Sequence, residues 1–168
     1  MDAFLSDLMP MTWVDDHVYV AGGWYVPATW GDFAAQTGIH VVLHLCPQAP
    51  QPFQGPAPQG WLWLDIADET QAGAELRLQA GRFVLHWVTA GERVLLHSSL
   101  GLHRVRWAYV AYRICAGQSA RAALRAAEQR PWQAPYHTDR QAWEVFAEQL
   151  TAIGSQAAVG GWGGEHAL

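Results

Sequence analysis

The sequence predicts an α/β domain built on one mainly parallel central sheet flanked by helices. Three observations carry that expectation. Short apolar runs at 39–45, 61–66 and 93–97 read as strands, the β-branched run 39–45 as one covered on both faces. Stretches with three-to-four apolar spacing lie between and after them, so strands alternate with helices early and helices dominate late. The chain's 168 residues, 51% hydrophobic and 15% charged, suit one domain that can bury a core of its own.

Taken in order, residues 12–21 form a hairpin, with Trp13 and Val14 on one side of an Asp15-Asp16 turn and the alternating His17-Val18-Tyr19-Val20 on the other. After Gly22 and Gly23, Thr29 is placed to cap a short helix over 27–36 through Trp30, Phe33 and Ala34, ended by Gly38. The run 39–45 belongs in the middle of the sheet. Residues 47–60 hold five prolines and read as a surface loop. Strand 61–66 runs into an acidic turn, 65–70, that gathers Asp65, Asp68 and Glu69. Leu76, Phe83, Val84, Trp87 and Val88 then mark one face of a long helix over 74–90, closed by Gly91. A short strand, 93–97, passes through a tight loop into a helix over 105–114. Two more helices follow, over 120–130 with Pro131 as a stop and over 139–150. Five glycines from Gly154 to Gly164 make the tail a frayed end. The division is an N-terminal segment 1–11, a domain 12–152 and a glycine-rich tail 153–168.

Composition excludes several functions. All ten basic residues are arginine and the net charge is −5, so neither nucleic acid nor an anionic membrane is an expected partner. No uncharged apolar run reaches about 18 residues. Asp2 and Asp7 stand where a secretory signal needs positive charge, which points to the cytoplasm. Two cysteines, Cys46 and Cys115, make neither a disulfide framework nor a four-thiolate zinc site, and both read as packing thiols. His40 and His44 are four apart, but on a strand that spacing forms no metal clamp, so packing or hydrogen bonding is their expected role. No cofactor or metal is expected.

The loop after 93–97 carries the functional argument. A strand that ends in a tight loop and opens directly into a helix aims backbone N–H groups and the helix's positive end at one spot, which suits an anion. Gly101 can take positive φ there and let the backbone curl. Arg104 stands at the helix start, where a planar guanidinium can hold two oxygens of one phosphate.

The stretch Val94-Leu95-Leu96-His97-Ser98-Ser99-Leu100-Gly101-Leu102-His103-Arg104 resembles the signature of the cysteine-dependent protein tyrosine phosphatases, His-Cys-x5-Arg with a glycine three residues after the cysteine. Within that superfamily the chain is similar to the small dual-specificity phosphatases. His97, Gly101 and Arg104 fall in register, and Ser98 occupies the nucleophile's position. The segments Val18-Tyr19-Val20-Ala21-Gly22, Gly38-Ile39-His40-Val41-Val42-Leu43-His44-Leu45 and Leu64-Asp65-Ile66-Ala67-Asp68 follow in the family's order, so the likeness spans roughly residues 12–150. The resemblance implies a phosphate monoester as ligand, on a phosphorylated protein or a small molecule. Residues 97–104 (His97, Ser98, Ser99, Leu100, Gly101, Leu102, His103 and Arg104) would surround it. Asp68 would be the general acid, with Asp65 as second choice.

The departures bear on activity. A thiol of reference pKa about 8.5 can be drawn down to about 3.5–7.5 by a helix N-terminus and cations, whereas the same field leaves an alcohol protonated. Ser98 therefore closes the thiophosphate route. Val105 stands where the family usually has a hydroxyl that assists the leaving thiolate, and Leu100 replaces a small residue. Three readings stay open: a pseudophosphatase that holds a phosphate ester without cleaving it, an active phosphatase whose cysteine was replaced by serine, and a serine hydrolase using Ser99 in a nucleophile elbow. The last has only Asp139 and His166 downstream as partners.

Overall fold

The computed structural model of the chain describes residues 11–47 and 52–160. Most of the expected N-terminal segment, positions 48–51 of the proline-rich loop and positions 161–168 of the tail, with Trp162 and His166, lie outside the described residues.

Strands β1 (Thr12–Trp13) and β2 (Val18–Gly22) pair antiparallel as the expected hairpin. Asp15 shapes the turn: its Oδ1 accepts the N–H groups of His17 and Val18 at 2.8 and 2.9 Å. Strands β3 (Val41–Leu45), β4 (Gly60–Leu64) and β5 (Val94–Ser98) complete a five-stranded sheet in the order β1-β2-β5-β3-β4. All pairings except β1–β2 are parallel, as the apolar runs implied. The middle strand is β5; β3 lies beside it and is buried along its whole length.

Side-chain alternation divides the core. Val18, Val20, Val41, Leu43, Val94 and Leu96 point to one face, under α3 (Ala74–Thr89), α4 (His103–Cys115), α5 (Ala120–Ala126) and α6 (Arg140–Gly160). Tyr19, Ala21, Val42 and Leu95 point to the other, under the smaller pair α1 (Tyr25–Ala28) and α2 (Trp30–Thr37) with Phe53. The helix that follows the loop, α4, is buried from Val105 to Tyr112 and again at Ile114. Its one interior guanidinium, on Arg106, lies over the rings of Trp132 and Tyr136 and donates to the Pro135 carbonyl at 3.0 Å.

Three helix boundaries differ from expectation. The single helix over 27–36 is two, because the Thr29 hydroxyl donates back to the Tyr25 carbonyl at 2.8 Å and so closes α1 instead of capping α2. Helix α5 stops at Ala126, short of 130, where the chain turns so that the Glu128 carboxylate meets the Tyr136 N–H and Arg140. The tail expected to fray from 153 continues α6 to Gly160. One glycine costs a helix about 1 kcal/mol, too little to end one whose next residues include Gln156, Ala157 and Ala158.

Candidate functional site

Strand β5 delivers Ser98 to the carboxyl edge of the sheet, and the chain reverses through residues 99–102 into α4. Ser98 is 1% exposed, and its Oγ accepts the Gly101 N–H at 2.9 Å. That bond shows a loop amide turned inward. No side chain caps the start of α4, so its first N–H groups remain turned towards the loop. The loop curls because Gly101 takes φ +67°, in the left-handed region.

The loop rests on the end of β2. A Cβ at Gly22 would come within 2.5 Å of the Gly101 nitrogen and the Leu100 oxygen, and one at Gly101 within 2.7 Å of the Gly22 nitrogen. Two chain segments therefore meet backbone to backbone, which only paired glycines permit. The Gly23 N–H donates to the carbonyls of Ser98 at 3.2 Å and Ser99 at 2.8 Å. Those two loop carbonyls are thus bonded to the end of β2.

Arg104 is half-buried at the first turn of α4 and is anchored through one nitrogen. Its Nη1 donates to the carbonyls of Leu45 and Ile66, each at 3.1 Å, and so ties the ends of β3 and β4 to the loop. Ile66 lies two residues before Asp68, which brings the acidic turn to the same edge. Asp68 is exposed, and its Oδ1 accepts the Thr70 N–H at 2.8 Å. That backbone bond, with smaller help from the Thr70 hydroxyl and the charges of His103 and Arg104, holds the carboxyl below its ordinary range. The next residue behaves oppositely: burial pushes the Glu69 carboxyl up, and the Tyr136 hydroxyl donates to it. Asp65 is exposed on the strand side of the turn.

Of the residues expected around a ligand, Ser99, Leu100 and His103 are exposed, Leu102 is half-buried, and Gly101 is buried. His97 is placed differently. It is 3% exposed and lies behind the loop, with Nδ1 at 2.9 Å from His44 Nδ1 and Nε2 at 2.6 Å from the Gly23 carbonyl oxygen. Both nitrogens are engaged with the protein, so His97 supports the loop and offers neither nitrogen to a ligand. Burial lowers both rings, His44 to about 4 and His97 to about 3, with Arg104 and, for His97, His44 adding to the effect. His40, by contrast, is exposed.

Cys115 packs at the far end of α4 against Gly81, and burial pushes its thiol up to about 11, which suits the expected packing role. A cavity of roughly 900 Å³ opens there between α3, α4, α5 and α6, lined among others by Arg82, Cys115 and Leu150 and by no residue of the loop. Among the described residues no cluster of three metal-ligating side chains occurs, and no helix is long and apolar enough to cross a membrane. Sequence reasoning missed the Gly22-Gly23 seat and the two carbonyl anchors of Arg104. The glycine doublet directly after a strand was the available signal for the first, and backbone acceptors leave none for the second.

No protein-family model and no curated protein matches the sequence. Solved structures do match. The crystal structure of DUSP15 superimposes with a TM-score of 0.66 at 18% identity, covering 91% of this chain and 97% of that one. Human DUSP28 gives 0.63 at 21%, covering 84% and 95%. PTPMT1, solved in complex with PI(5)P, gives 0.67 at 16%, covering 84% and 96%. With a mainly parallel sheet in the order β1-β2-β5-β3-β4 and near-complete coverage in both directions, the chain has the α/β fold of the dual-specificity phosphatases.

Proposed function

We propose that the loop from Ser98 to Arg104 holds a phosphate monoester and that the chain, with serine at position 98, does not hydrolyse it. The observation that carries this reading is the Gly101 N–H aimed at Ser98 Oγ, inside a loop whose carbonyls at 98 and 99 are bonded outward. An inward loop amide, a guanidinium and the start of α4 converging on one spot are complementary to a tetrahedral dianion. Arg104 has its orientation fixed by Leu45 and Ile66 through Nη1 and presents the rest of its fork to the ligand.

In this reading a phosphorylated side chain or a small phosphate ester enters past Ser99, Leu100 and His103, which are exposed. A cysteine at 98 would attack phosphorus in line while Asp68 protonated the leaving oxygen and then activated water. The serine stops at binding, because its hydroxyl stays protonated in the same field. Against Ser99 as a hydrolase nucleophile, His97, two residues away, has its ring nitrogens bonded to His44 and Gly23.

The test is hydrolysis of an aryl phosphate by the unsubstituted protein and by Ser98→Cys, each with and without Arg104→Ala. Turnover confined to Ser98→Cys with Arg104 present supports the reading. Turnover by the unsubstituted protein contradicts it. If neither form turns over, tungstate or phosphate raising the Tm still supports the binding role.

A further inference from the structure

The two buried histidines specify their own hydrogens. The Gly23 carbonyl can only accept, so the hydrogen in the 2.6 Å contact belongs to His97 Nε2. A neutral His97 then carries a bare Nδ1. The 2.9 Å contact between the two Nδ1 atoms needs one donor, and that donor is His44 Nδ1–H. The rings lie 15° from parallel with centroids 5.0 Å apart, an edge-to-edge geometry that suits an in-plane bond. The two residues are register partners on neighbouring strands β3 and β5, so the sheet itself fixes the pair.

The pair ends at the loop. His97 Nε2–H holds the Gly23 carbonyl, and the same residue's N–H holds the carbonyls of Ser98 and Ser99. Gly23 is thereby bonded on both sides, and with Gly22 forms the surface on which Leu100 and Gly101 rest. A chain of hydrogen bonds runs from His44 through His97 and Gly23 to the loop carbonyls. We propose that His44 is a positioning residue for the oxyanion cradle: by donating from Nδ1 it locks His97 as the Nε2–H tautomer, which pins Gly23 and keeps the loop's carbonyls turned outward. The inference rests on the phosphate reading of the loop and names a residue that never touches the ligand. Had His97 taken the other tautomer, its Nε2 lone pair would face the Gly23 oxygen, and the seat would be pushed off instead of held.

The probe is tungstate, titrated into the unsubstituted protein, His44→Asn and His44→Phe, with the ring nitrogens followed by long-range ¹H–¹⁵N NMR. An asparagine amide offers an N–H near the place of Nδ1, whereas phenylalanine offers none. The expected spectrum of the unsubstituted protein shows His97 as Nε2–H and His44 as Nδ1–H. Tungstate binding should weaken at least about tenfold in His44→Phe and return to within about threefold in His44→Asn. Opposite tautomers in the unsubstituted protein overturn the proposal without any variant, even if His44→Phe does not fold. Unchanged binding in a folded His44→Phe, or equal loss in both variants, overturns the positioning role while leaving the phosphate reading intact. Absence of tungstate binding with the expected tautomers present instead overturns the phosphate reading, and the positioning role with it.

Discussion

Gly22→Ala isolates the contact that shapes the loop. Gly22 ends β2 with ordinary extended backbone, so alanine carries no conformational penalty there, and the whole effect is steric. The added methyl would sit within 2.5 Å of the Gly101 nitrogen and the Leu100 oxygen, and closer still to the Leu100 carbonyl carbon. All three are backbone atoms, so no side chain can swing aside. Overpacking of this kind costs about 1–3 kcal/mol, and rigid backbone neighbours put this case at the upper end. For a chain of this length each kcal/mol shifts Tm by about 2–4 °C, which predicts a fall of roughly 6–12 °C. The loop can relieve the clash only by lifting from its seat, which breaks the Gly23 bonds to Ser98 and Ser99 and should weaken tungstate binding at least about tenfold. Thermal unfolding and titration calorimetry read both effects. Gly73→Ala is the control, since a Cβ there meets nothing within 4 Å. A Gly22→Ala protein with unchanged Tm and unchanged tungstate affinity would refute the backbone-on-backbone seat.

Other expectations follow from the same geometry. The histidine pair makes stability acid-sensitive: each ring's folded pKa lies below the unfolded value near 6.5, so the unfolded chain binds the extra proton, and the stabilisation present above pH 6.5 is lost as pH falls towards about 4 for His44 and about 3 for His97. Denaturant titrations across that window should show up to about 1.4 kcal/mol lost per pH unit for each histidine, and His44→Asn should flatten the slope. Tyr136→Phe removes the donor to a half-buried Glu69 carboxylate and should cost about 1–3 kcal/mol in urea unfolding, whereas Tyr25→Phe, on an exposed ring, should cost nothing measurable. In the Ser98→Cys background, Asp68→Asn should slow hydrolysis of an alkyl phosphate at least about a hundredfold and that of a nitrophenyl phosphate much less, because the poorer leaving group needs the proton; equal effects on both would remove Asp68 from the acid's role.

What was legible in the sequence follows the physics of each element. Parallel strands buried on both faces leave continuous apolar runs, so β3 and β5 could be read directly, and the loop's direction followed from strand, glycine and arginine in a fixed order. Strand β4 was also readable from its apolar run, but its place at the sheet edge, with Trp61 and Trp63 exposed, was not. Helix ends were less so. Thr29 has the composition of a cap yet bonds back to Tyr25, and Gly154 has the composition of a stop yet sits inside α6. Local residue type does not decide between such alternatives; the neighbouring turn does. At the site, Ser98, Gly101, Arg104 and Asp68 could be placed from spacing and resemblance. Gly23 and His44 could not be given their places, because their partners are backbone carbonyls and a ring 53 residues away, which only the sheet register brings together.

The most direct measurement is calorimetric titration of the unsubstituted protein with tungstate, beside Arg104→Ala and Arg104→Lys. The account predicts saturable one-to-one binding, lost in Arg104→Ala and weakened in Arg104→Lys, because a lysine cannot reproduce the planar fork that bonds Leu45 and Ile66 while facing the anion. Binding that is absent, or that is indifferent to residue 104, would contradict the assignment of this loop as a phosphate cradle.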